Sequence, residues 1–239
     1  RFKNFNSFIF MLNQIEFKVY GKYALFSDPL TRIGGEKCSY QIPTYEALKG
    51  IVKAVYWKPT LIWLIDEVRI MRPIRLVPKN MKLIKYHEAG ADLSVYTYLQ
   101  DVEYQVKAHF EWNMYRPDMS KDRIDGKHYE IARRMIDRGG RRDIALGTRE
   151  CQGYVEPCRF GEGKGFYDQY GDTSFGLMFH GFNYPDETGK EELSIRFWRP
   201  VMENGTIRFV RPEACEIVKH VRPMAACPPR SSGLNDLSL

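Results

Sequence analysis

Apolar and polar positions alternate along "IEFKVY" (15–20), the period of a strand with one buried face. After a turn-rich stretch, "SDPLTRIGGEKCS" (27–39), the period changes. Thr44 is an N-capping residue, and Leu48, Ile51, Val52 and Val55 then recur at i, i+3, i+4 and i+7, which predicts a helix that Pro59 stops. "TLIWLIDEVRIM" (60–71) predicts a second strand, and residues 72–95 read as a polar loop or insertion. The clearest strand is 98–115. Val102, Tyr104, Val106, Ala108, Phe110 and Trp112 share one face there, and Glu103, Gln105, Lys107, His109 and Glu111 share the other. A helix over 127–138 follows, ended by Gly139-Gly140, and then a strand over 143–155 bent at Gly147.

This β-α-β-β-α-β order predicts an α+β fold with a ferredoxin-like (RRM-like) domain over residues 11–158. Beyond it, "SFGLMFHGFNYP", "LSIRFWRPVM" and "TIRFV" read as three more strands, the last two joined through "ENG". They predict a small antiparallel β-sheet domain over 159–223, followed by a disordered tail, 224–239. Residues 1–10, ahead of Met11, read as an upstream extension.

Composition narrows the class. A formal charge of +6 leans toward a polyanionic partner. The excess is local: Arg133, Arg134, Arg138, Arg141 and Arg142 stand against the single acid Asp137 between 131 and 142. The five cysteines are scattered and form no CxxC pair, so reduced thiols in a cytoplasmic protein are expected, with no zinc ribbon or disulfide framework. The longest apolar runs, "FIFML" and "LIWLI", are five residues each, so no membrane partner is expected.

The candidate chemistry lies in "DGKHYE" (125–130), where Lys127 and His128 open the second helix. In this topology the two helices run antiparallel on one face of the sheet. The end of the first and the start of the second then share a rim. Tyr56, closing the first helix, meets Lys127 and His128 there, whereas Tyr45 stands roughly 16 Å away along the helix. Such a trio suits RNA cleavage by attack of the 2′-OH on the adjacent phosphorus. Histidine exchanges protons near neutral pH, an ammonium stabilises charge on the phosphoryl oxygens, and tyrosine positions the hydroxyl or carries a proton. No metal and no cofactor is called for. Adjacency alone also fits a solvated helix start for Lys127-His128, a rim tyrosine for Tyr56, and the polar face of a helix for the arginines. His109 and His180 fit structural or surface places. "GEGKGFYDQYGD" lacks the strand-to-helix setting of a phosphate loop, and no RNP1 aromatic motif is present.

Four blocks carry a family resemblance: "YALFSDPLTRIGGEKCSYQIPTYEALKGIVKAVYWKPT", "YLQDVEYQVKAHFEWN", "GKHYEIARRMIDRGGRRDIALGTRECQGYVEPC" and "FHGFNYPDETG…VMENG". They resemble the type I-C (Dvulg subtype) member of the fifth CRISPR-associated protein family, within the RAMP superfamily, from about Ile15 to Pro223. The resemblance implies a ferredoxin-like domain followed by a small β-sheet domain. It implies a metal-independent endoribonuclease that cuts precursor CRISPR RNA at the repeat hairpin, leaving a 5′-OH and a 2′,3′-cyclic phosphate. The protein would then stay on the 5′ handle among the other subunits of the type I-C interference complex. The family's Tyr-Lys-His set falls on Tyr56, Lys127 and His128. Two alternatives stay open: a non-catalytic subunit that binds the 5′ handle, and nonspecific binding of duplex DNA through Arg133, Arg134, Arg138, Arg141 and Arg142.

Overall fold

The structure, a computed structural model, describes residues 12–29, 31, 35–85 and 90–227. The expected extension at 1–10 and the tail from 228 onward lie outside the described residues. Strand β1 (Gln14–Ala24) buries Ile15, Phe17 and Val19, as its alternation requires. Helix α1 (Tyr45–Val55) starts where the Thr44 hydroxyl accepts the Ala47 N–H at 3.2 Å. Strand β2 (Leu61–Ile70) leads to β3 (Leu76–Ile84) and the 22-residue β4 (Ala91–Trp112). A short 3-10 turn (Pro117–Asp122) precedes α2 (Lys127–Asp137), and β5 (Ile144–Ala145) and β6 (Gln152–Pro157) follow.

The central order is β6-β1-β4-β2, with every neighbouring pair antiparallel. That is the ferredoxin-like arrangement. Its connections force α1 and α2 onto one face, where Phe17, Val19, Trp63, Val106, Ala108 and Phe110 are almost wholly buried. Each of the larger of these side chains contributes about 1.5–3 kcal/mol through the surface it removes from water.

Four expectations need correction. Residues 72–95 are not a plain loop: β3 (76–84) within them pairs residue by residue with 91–99 of β4 as a two-stranded arm. β3 has no buried residue, so neither face carries the apolar stripe that marks a strand. The 143–155 strand is a hairpin, with β5 against β6. Gly147 turns it, at φ +91°, where an added Cβ would lie 2.0 Å from the Leu25 carbonyl oxygen.

The 193–202 strand breaks at Pro200, which has no N–H for a ladder. Its first part is β9 (Glu192–Trp198), which joins β8 (Met178–Asn183) and β12 (Ile217–Pro223) in a three-stranded sheet. Its second part is β10 (Val201–Glu203), which pairs with β11 (Thr206–Arg208) through the expected "ENG" turn. β11 pairs with β2 and β10 with β7 (Asp172–Ser174), so these strands extend the first sheet. Finally, Gln105 is not on an open polar face. Residues 160–165 cross that face: Gln105 donates to the Glu162 carbonyl at 2.7 Å, and Arg69 binds the Gly163 carbonyl and Asp168. Past β12, the Met224 N–H donates to the Glu191 carbonyl at 3.2 Å.

Gly147 and Gly161 both adopt positive φ, but only the first meets backbone. Gly147→Ala is expected to cost more than about 2 kcal/mol and Gly161→Ala about 1 kcal/mol, read as shifts in the denaturant midpoint.

Candidate active site

Tyr56 caps the end of α1. Its N–H donates to the Val52 carbonyl at 2.9 Å, and its backbone then turns extended toward Lys58-Pro59, where a residue ahead of proline disfavours helix. The Trp63 indole donates to the Tyr56 carbonyl at 2.8 Å and fixes this end. Opposite, Gly126 takes φ +74° and starts α2, so His128 lies in its first turn.

The Tyr56 hydroxyl and His128 Nδ1 are 2.8 Å apart, and both side chains are buried. The other ring nitrogen, Nε2, is 2.7 Å from the Asp122 carbonyl. A carbonyl only accepts, so in the neutral ring the proton sits on Nε2 and Nδ1 accepts the tyrosine O–H. Phe110 and Trp112 pack against the imidazole in T-shaped pairs, with ring centroids 6.3 and 5.6 Å away.

Lys127 is the member open to solvent, with 40% of its side chain exposed. Its ammonium binds Asp122 Oδ1, and Thr60 Oγ1 donates to Oδ2 at 2.9 Å. The Lys127 hydrogen bond holds the Asp122 carboxyl below the usual range, with help from Thr60 and against partial burial. Burial pushes the Tyr56 hydroxyl up to about 12; the Asp122 charge adds to this, and the Arg141 guanidinium opposes it.

The structure therefore brings Tyr56, Lys127 and His128 together on the shared rim. Tyr45 is elsewhere, stacked on His180 with ring centroids 4.1 Å apart. His180 is itself buried, hydrogen-bonds to the Val210 carbonyl and Arg196, and is pushed down to about 3 chiefly by burial. His109 is tied to Asp66 at 2.7 Å, which holds its pKa up.

The five arginines are exposed, and their contacts differ. The N–H groups of Arg141 and Arg142 both donate to the Ala54 carbonyl, at 3.2 and 3.1 Å, which returns the chain to the last turn of α1 beside Tyr56. Arg133 leans over the Tyr129 ring and lies 3.6 Å from Glu130, and Arg134 donates to the Glu130 carbonyl. Arg138 closes α2. Two residues of the site escaped sequence reasoning: Asp122, five positions ahead of Lys127, and Thr60. Hydrogen bonds from a 3-10 turn carry no sequence period that could have found them.

The model of the CRISPR-associated protein (Cas_Cas5) family, in its Cas_Cas5d form, matches residues 14–210. The chain belongs to this family. A protein named CRISPR pre-crRNA endoribonuclease Cas5d from Thermus thermophilus is 26% identical over 192 residues, covering 77% of this chain and 79% of its own. A protein of the same name from Mannheimia succiniciproducens is 34% identical over 84 residues, a match that spans only 35% of this chain and 34% of that relative. A solved structure described as a CRISPR-associated protein superposes with a TM-score of 0.70 at 35% identity, covering 86% of this chain and 96% of its own. As a member of this family the chain carries the ferredoxin-like core that its strand order displays, and the whole Tyr56–His128 rim lies within the matched region. Among the described residues no helix is long and apolar enough to cross a membrane.

Tyr56→Phe leaves the buried His128 Nδ1 without its partner. It is expected to lower unfolding free energy by about 1–3 kcal/mol, while Lys127→Ala, at the surface, changes it by less than about 0.5 kcal/mol. Denaturant titration of the two variants checks this.

Proposed function

We propose that this chain is a metal-independent endoribonuclease that binds the CRISPR repeat hairpin and cleaves precursor CRISPR RNA. The observation that carries the reading is the buried Tyr56–His128 hydrogen bond with the Lys127 ammonium exposed beside it. The names of the curated relatives point the same way. Neutral His128 accepts through Nδ1, so Tyr56 acts as a proton carrier. It takes the 2′-OH proton on its oxygen as its own proton passes to Nδ1. The 2′-oxygen then bonds to phosphorus, and the bond from phosphorus to the 5′-oxygen breaks.

Lys127 faces the phosphoryl oxygens and gives the leaving 5′-oxygen its proton. Solvent returns a proton to Lys127 and removes one from His128, so none is gained or lost. The products are a 2′,3′-cyclic phosphate and a 5′-OH. Arg141 and Arg142, beside Tyr56, hold flanking phosphates, and Arg133, Arg134 and Arg138 extend that surface along α2. In this reading the protein works in the cytoplasm and stays on the 5′ handle with the other subunits of the interference complex.

One observation favours the second reading, a non-catalytic subunit that holds the 5′ handle: both His128 nitrogens already have protein partners, and its ring has no exposed surface. Single-turnover incubation with a repeat hairpin RNA separates the two. Lys127→Ala and His128→Ala are expected to slow cleavage by at least about 100-fold with binding retained. A 2′-deoxy substitution at the cut should block the reaction and EDTA should not. Cleavage of the deoxy RNA, or full activity in both variants, overturns the proposed mechanism. Arg141→Ala/Arg142→Ala is expected to flatten the salt dependence of RNA binding, its log–log slope falling by about 0.7 for each phosphate that is no longer neutralised.

A further inference from the structure

Asp122 touches every polar member of this site except Tyr56, and its three contacts differ in kind. The backbone carbonyl accepts His128 Nε2–H at 2.7 Å. Oδ1 binds the Lys127 ammonium, and Oδ2 accepts from the wholly buried Thr60 hydroxyl at 2.9 Å while lying 3.5 Å from His128 Nε2. A side chain serving only as a partner for surface Lys127 has no need of a buried anchor. Thr60 turns the second oxygen toward the imidazole and holds it there.

We propose that Asp122 is the third member of a proton relay, Tyr56–His128–Asp122, and its positioning residue. The inference rests on the endoribonuclease reading above. The carbonyl keeps the Nε2–H tautomer, so the Nδ1 lone pair faces the Tyr56 hydroxyl. When the 2′-OH proton moves to Tyr56 and the tyrosine proton moves to Nδ1, His128 becomes an imidazolium within its apolar enclosure. The only carboxylate within reach of that charge, among the described residues, is Asp122. An isolated cation in such surroundings is costly, and a fixed carboxylate on the far side of the ring offsets that cost without taking the proton.

Asp122→Asn keeps the shape and the main-chain contact but removes the charge. Its maximal single-turnover rate on repeat hairpin RNA is expected to fall at least about 10-fold, with half-saturating protein concentration unchanged within about 3-fold. Thr60→Val, which frees Oδ2, should lose rate in the same sense but less. Melting temperatures recorded alongside identify any variant that loses rate through unfolding. The deciding measurement is Asp122→Asn in a Tyr56→Phe background. With the relay already cut, the added cost should be below about 2-fold on the residual rate, because coupled residues do not multiply their losses. An undiminished cost in that background means that Asp122 acts through Lys127 alone and overturns the relay. Wild-type cleavage with Asp122→Asn at the wild-type rate overturns this inference and leaves the endoribonuclease reading standing. No cleavage by the wild-type chain overturns both.

Discussion

The hydrogen bond between Tyr56 and His128 ties the end of one helix to the beginning of the other, and much of the molecule is arranged around it. The split β-α-β-β-α-β path places α1 and α2 side by side but leaves their ends facing water unless something joins them. Here the joint is polar and lies within apolar rings, where a hydrogen bond is stronger than in water and an unmade one is costly. One contact therefore does two jobs. It closes the helical layer over the sheet, and it fixes which imidazole nitrogen carries the proton. The two side chains cannot separate without opening the fold at the same place.

The parts of the fold that could be read from residues are those where burial is one-sided. Ile15, Phe17 and Val19 on β1, and Val102 to Phe110 on β4, face a core on one side and solvent or polar groups on the other, so their period survives in the sequence. The arm formed by β3 and the start of β4 has no buried face on β3, and without that contrast it looks like a loop. Gly147 marks a bend and Pro200 interrupts an apolar run, but neither residue says where the chain goes next. Pro200 hands the chain from one sheet to another, and Gly147 reverses it beneath Leu25; both outcomes depend on partners far away in sequence.

The same distinction applies to the site. Tyr56 and His128 were legible as neighbours because topology alone sets which helix ends share a rim. Asp122 was not, because its part is played through a main-chain carbonyl and a carboxylate on a 3-10 turn, neither of which requires a particular spacing from Lys127. The arginine run was legible as charge but not as placement. It looked uniform along the chain, whereas the Gly139-Gly140 stop bends it so that Arg141 and Arg142 return to α1.

Charge is divided by location. Lys49, Arg69 and Arg196 are buried, and each is held by protein groups: Lys49 by Glu187, Arg69 by Asp168 and two carbonyls, and Arg196 by His180, Asn183 and the Phe182 carbonyl. These three cations count toward the formal +6 yet present almost nothing to a partner. Among the described residues Arg138, Arg141 and Arg142 make no ion pair, and they are exposed. The charge presented at the surface therefore differs from the formal net charge. Arg141 shows why the place of a charge matters more than the number of charges. Its charge opposes the burial that raises the Tyr56 hydroxyl, an effect that no count of charges along the chain would show.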